Sequence, residues 1–290
     1  MPQADGRRMS WGPVIEGSVA AWRTAHPRAV LANLEGRRDV TDSDVALLAG
    51  VLALNVSGCS GLSERAFEGC DTGSGLVVLD CSGCTAFTAA TLARCGGGVL
   101  RELNMSYCSN PALGGEGALA PLRGLVALDA SFCSQASLTS ATLAPLGEGL
   151  LWLSLQGCGQ AGLTGALCSY LPRLRHLALT LQEGAYAEAH FARFEGSALR
   201  SLSLWNAQAA AGARALTDAT FGRALAGLEE LALSFRAGSE GGAVQAPWAG
   251  LSRGAFAAFR GRLRRLCMTG AVPEVFKDAA RAAALEVRGK

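Results

Sequence analysis

Lysine is almost absent from this chain. Only Lys277 and Lys290 occur among 26 basic residues, both near the C-terminus, and the remaining 24 are arginine. That bias has two readings: a GC-rich coding sequence, which also enriches Ala and Gly, or a protein that works beside ubiquitin ligases and carries few acceptor amines. Histidine is equally scarce. His26, His176 and His190 are the only three, and none stands at the spacing of a zinc site or a catalytic triad. Charged residues make up 17% of the chain and the net charge is +2, so no concentrated basic field exists to hold nucleic acid or a membrane surface. No apolar run approaches the roughly 18 residues that a spanning helix needs, and the first eight residues lead into no apolar core of signal-peptide length. These gaps exclude whole classes. We expect protein partners, with no nucleic acid, membrane or small-molecule substrate, no enzymatic activity, no cofactor and no metal. We also expect a soluble protein of the cytoplasm or nucleus with its ten cysteines reduced.

What the chain does contain is apolar material and a period. Half of its residues are hydrophobic, enough for a large core, and its 290 residues suit either two globular units or one elongated repeat domain. The frame Leu-x-x-Leu-x-Leu-x-x-Cys decides for the repeat. Its five best copies are Val51-Leu54-Val56-Cys59, Leu76-Leu79-Cys81-Cys84, Leu100-Leu103-Met105-Cys108, Leu125-Leu128-Ala130-Cys133 and Leu150-Leu153-Leu155-Cys158. First positions continue at Leu174, Leu199, Leu228, Leu263 and Ala282, and a degenerate leading copy fits Ala29-Ala32-Leu34-Arg37. Intervals from Val51 onward are 25, 24, 25, 25, 24, 25, 29, 35 and 19 residues.

The Leu-x-Leu alternation has the period of a short strand with one buried face, and helix-like apolar spacing follows it. Thr41, Thr88, Thr139 and Thr217 each stand where a side-chain oxygen would cap the first turn of that helix. One strand-turn-helix unit cannot bury its own apolar face, so the units must stack, strands forming a parallel sheet and helices lying behind it. In this pattern the chain resembles leucine-rich repeats of the cysteine-containing subtype, found in substrate-recognition subunits of F-box ubiquitin ligases and in mitotic-exit antagonists. The resemblance runs from about residue 29 to 271. It implies an α/β leucine-rich repeat solenoid, a horseshoe with the parallel sheet on the concave face and short helices on the convex face. It also implies a role as a substrate-recognition adaptor in ubiquitin-dependent turnover. An F-box is not evident, since only the short Ser18–Arg23 segment offers a remnant. We therefore expect residues 1–28 as an N-terminal extension or cap, and 29–290 as a domain of about ten repeats with an insertion near 236–262.

Chemistry is thin. Cys81-Ser82-Gly83-Cys84 has the spacing of a redox or metal motif, yet both cysteines fill inward repeat slots, which predicts core packing. The informative residues are those between buried leucines. In the first copies they are small and polar, among them Asn55, Asp80, Asn104 and Asp129, a flat lawn on the expected concave face. Later copies add Trp152, His176, Trp205 and Glu230, with Phe235 one column further beside Tyr107, Phe132 and Leu181. Arg265 belongs to an arginine concentration with Arg253, Arg260, Arg262 and Arg264. Trp152 and Trp205 either anchor a partner or pack beneath the long interval between the last repeats. The arginines either form a solvated helix face whose aliphatic stems cover apolar surface or meet an acidic partner. Trp152, His176, Trp205, Glu230, Phe235 and Arg265 are thus the candidate partner-binding set of a non-enzymatic interaction scaffold. The alternative is a permanent structural subunit that docks into a larger assembly through its atypical C-terminal repeats.

Overall fold

The computed structural model describes residues 10–69, 75–96, 98–181, 194–206 and 217–235, then 252, 254, 256–259, 262–270, 272, 274–282 and 287–288. The chain divides into two compact units, Met1–Leu153 and Ser154–Lys290. Helices among the described residues are short, and none is long and apolar enough to cross a membrane.

Unit 1 is a ladder of parallel three-residue strands: β1 (Leu31–Asn33), β2 (Ala53–Asn55), β3 (Val78–Asp80), β4 (Glu102–Asn104) and β5 (Ala127–Asp129). Their register aligns Ala32, Leu54, Leu79, Leu103 and Leu128 in one row, all buried. Leu151 and Trp152 extend the ladder by donating to the carbonyl of Val126, opening β6 (Trp152–Leu155), which carries the unit boundary. Ahead of β1, helix α1 (Val19–Ala25) starts at Ser18, whose Oγ accepts from the Ala21 amide at 3.3 Å. The preceding residues bond to β1: the Ile15 amide donates to Asn33 O, and Asn33 Nδ2 donates to Gly12 O.

Threonine caps stand at the expected places. Thr41 opens α2 (Asp42–Ala46), and its amide and hydroxyl both donate to Asp44 Oδ2, at 2.9 and 2.8 Å. Thr88 opens α3 (Ala89–Gly96) and Thr139 opens α4 (Ser140–Leu143), each exchanging bonds with a threonine three residues on.

The cysteine column does more than fill space. Four of its thiols donate to the main-chain carbonyl of the second inward slot one repeat earlier: Cys59 to Leu34 at 3.0 Å, and Cys84 to Val56, Cys108 to Cys81 and Cys133 to Met105 at 3.2 Å. Val56 O also accepts the Cys59 amide, so both of its lone pairs are used. Burial pushes the Cys59 thiol up to about 11 and raises that of Cys84, which keeps them protonated as donors. Protonated buried thiols are neither nucleophiles nor metal ligands. Among the described residues no group of His, Cys, Asp and Glu is arranged to hold a metal ion.

Unit 2 has the same parallel order with longer strands: β7 (His176–Leu181), β8 (Ser201–Asn206), β9 (Glu230–Phe235) and β10 (Arg265–Gly270), six residues each, then β11 (Val287–Arg288). Leu177, Leu202, Leu231 and Leu266 form its inward row. Phe256 joins Phe259 and Phe276 of the helix Glu274–Ala282 in a buried cluster, with ring centroids 6.1 and 6.0 Å apart.

Candidate functional site

The outward polar row of unit 1 is not the open lawn the alternation suggests. Asn33, Asn55 and Asp80 are buried, with Asn55 only 1% exposed. Strands lie about 4.8 Å apart, which closes small side chains between neighbours. The oxygens are also in use. Oδ1 of Asn33, Asn55, Asp80, Asn104 and Asp129 accepts from the amide two residues on, at 2.9–3.1 Å, forming the turn that ends each strand. Asn104 Nδ2 donates to Asp80 Oδ2 at 2.9 Å, linking two repeats. Burial raises the Asp129 carboxyl, partly offset by the bonds from Ser131.

Three residues after each Asn or Asp the backbone enters the left-handed region. Glycine holds that place as Gly36, Gly58 and Gly83, and Gly157 holds it after Ser154, with φ between 67° and 73°. Tyr107 and Phe132 hold it in two adjacent repeats at φ 60° and 57°, and are the non-glycine residues found at positive φ among those described. Their rings stack with centroids 4.7 Å apart and planes 6° apart, while Tyr107 is 56% exposed. The repeat frame puts both in one column with Leu181 and Phe235. The signal it lacked was the glycine column they interrupt.

In unit 2 the register brings His176, Ser201, Glu230 and Arg265 into one row across β7–β10. Arg265 Nη1 meets Glu230 Oε1 at 2.8 Å, so these two candidates form an ion pair. His176 is half-buried. Burial lowers its pKa, Glu230 opposes that shift, and Arg175 adds to it. Beside this row runs a second, Thr180, Trp205, Ser234 and Thr269, in which Trp205 is 40% exposed. At the strands' leading edge Glu229 lies 3.8 Å from Arg200 and 3.6 Å from Arg264.

Four of the six expected residues, His176, Trp205, Glu230 and Arg265, therefore stand on neighbouring strands of one unit. Trp152 is half-buried at the end of unit 1. Phe235 closes β9 opposite Gly270, and its side chain lies outside the described residues. His190, Arg253, Arg260 and most of the expected insertion at 236–262 also lie outside them.

No protein-family model matches the chain, and no curated protein matches it. Among solved structures, TLR13 in its complex with ssRNA13 superposes with a TM-score of 0.51 at 16% identity, over 84% of this chain and 36% of that one. Together with the strand-turn-helix ladder, this decides the architecture. The fold is the leucine-rich repeat. An internalin from Listeria monocytogenes (TM-score 0.47, 17% identity, 81% of this chain and 65% of that one) is also similar. So is a leucine-rich repeat protein of Leptospira interrogans (TM-score 0.48, 13% identity, 85% and 62%). The chain spans less than two thirds of the length of each. At such identities the likeness concerns the leucine-rich repeat fold alone.

Proposed function

We propose that this leucine-rich repeat chain is a non-enzymatic scaffold that binds a partner protein through the outward face of β7–β10. The observation that carries the reading is Trp205, 40% exposed in a row otherwise made of Thr180, Ser234 and Thr269. A large aromatic ring kept on a strand face of small polar residues is what interface hot spots are built from. His176 and the Glu230–Arg265 ion pair stand on the same strands and supply polar contacts around it. The ssRNA of the TLR13 complex belongs to that protein, and protein is the partner class we propose here.

As the finer form of this reading, we propose an adaptor that presents substrates for ubiquitin-dependent turnover in the cytoplasm or nucleus. The repeat's resemblance to ligase receptors and the two-lysine composition support it. Quantitative affinity purification comparing the wild type with Trp205→Ala tests the binding reading. We expect the variant to stay folded and to lose at least tenfold in recovery of the specific partners. A folded Trp205→Ala protein that recovers the same partners in the same amounts overturns it. Native mass in cell extract tests the permanent-subunit alternative, for which the chain would be found only in one large, invariant assembly.

A further inference from the structure

A second recognition feature lies in unit 1, on residues the proposed function does not use. Tyr107 and Phe132 stack at 4.7 Å, the spacing of adjacent strands, so their parallel rings are arrayed along the direction in which repeats succeed one another. Phe132 backs one face of Tyr107. Toward the other face the column continues as Gly83, Gly58 and Gly36, which have no side chains. A Cβ built on Gly83 would meet only Gly58 N and Cα, at 3.8 and 3.9 Å, and one on Gly58 would meet only Gly36, at 3.7 Å. The result is a run of glycines ending at an aromatic pair whose outer ring, Tyr107, is 56% exposed.

Charge selects which planar group. The outward positions of β1–β5 carry no base, and of their acids Asp80 is buried against Asn104 while Glu102 and Asp129 are half-buried. From residue 102 to 172 the chain has one base, Arg123, against Glu102, Glu116, Asp129 and Glu148. Arg101, at the opposite end of its strand, is engaged with the carbonyls of Gly98 and Gly124 at 3.0 and 2.8 Å. A surface this poor in bases has nothing to hold a phosphate backbone and leaves a cation unopposed.

We propose that the Tyr107 ring, backed by Phe132 and approached over Gly83, is a stacking subsite for an arginine guanidinium of a basic peptide segment. Guanidinium is planar, stacks on aromatic faces and is less strongly hydrated than an ammonium.

The test uses the full chain and fluorescein-labelled octapeptides alternating Gly with Arg, Lys or citrulline, with an eight-residue oligoadenylate as the competing class, all read by anisotropy. The Arg peptide is expected to bind roughly fivefold tighter than the Lys peptide, as about 1 kcal/mol for an exposed cation–π contact implies, and the citrulline peptide more weakly than either. Tyr107→Gly and Phe132→Gly, which restore the residue other repeats use there, should remove the Arg preference while circular dichroism stays unchanged. Trp205→Ala should leave it intact. Equal affinity for Arg and Lys, unchanged binding by both glycine variants, preference for oligoadenylate, loss of the preference on Trp205→Ala, or no saturable binding at millimolar peptide would each overturn the assignment.

Discussion

Strands β1–β5 of unit 1 have three residues each and β7–β10 of unit 2 have six, though both sets place a leucine-frame row inward. The difference traces to two positions. In unit 1 an Asn or Asp follows the first inward leucine and captures the amide two residues on, and a left-handed residue three positions later turns the chain toward the cysteine. In unit 2 Ala178, Ser203, Ala232 and Cys267 stand at the first of these positions, where none can supply the amide-capturing carbonyl or carboxylate oxygen. The strand then runs on, pairing Thr180 with Trp205 and Leu181 with Asn206. Longer strands present an extra outward row, and Trp205 stands in it. Loss of a turn device therefore creates the surface on which we place the binding function.

Alkaline titration should separate the units most strongly. The folded Cys59 thiol sits near 11 against an ordinary 9.0, so the folded chain keeps a proton that the unfolded chain releases. Its contribution is fully present below pH about 9 and is lost as pH rises toward 11, at roughly 2–3 kcal/mol for a two-unit shift. Cys84 shifts in the same direction. Amide exchange on β2–β5 should accelerate across this window more than exchange on β7–β10. Equal acceleration in both units would remove the distinction.

Asn55→Ala tests the turn itself. Asn55 is buried and its Oδ1 is the acceptor for the Ser57 amide, so we expect a loss of about 1–3 kcal/mol in urea denaturation. Ser203→Ala, at the equivalent position of β8, should change stability by at most about 0.5 kcal/mol. Similar losses from both would show that the Asn contributes nothing special.

Gly58→Val forces a β-branched residue to φ 67° and should cost about 1–2 kcal/mol. Tyr107→Gly, by contrast, relieves that strain but gives up the stacked pair and adds unfolded-state freedom, terms of about 1 kcal/mol each that leave a change near zero. Trp205→Ala gives up the covered part of a ring that is 40% exposed and should cost about 1–2 kcal/mol, leaving the chain folded while the large loss of partner binding expected of it is read separately.

Much of the fold was legible because the repeat forces it. Thr41, Thr88 and Thr139 announced their helices, and the leucine frame predicted the inward rows one by one. The frame also placed His176, Trp205 and Glu230 on successive strands, whereas Arg265, expected on a solvated helix face or against an acidic partner, opens β10. Their pairing into rows, and the Glu230–Arg265 contact, depend on register between strands that the sequence separates by 25 to 35 residues. Alternation misled where Asn55 and Asp80 are concerned, because period two assigns a face and says nothing of what neighbouring strands cover or which amide a carboxamide meets.

By itself, then, the sequence determined the period, the strand-turn-helix unit and the inward leucines and cysteines, since an apolar face too large for one unit admits only stacking. Tertiary structure alone decided what each outward residue became. Asn55 turned into a buried turn device, Tyr107 and Phe132 into a stack held at positive φ, and Trp205 into an exposed ring on a lengthened strand. Those outcomes depend on contacts one repeat away, at a spacing of about 4.8 Å that no local pattern encodes.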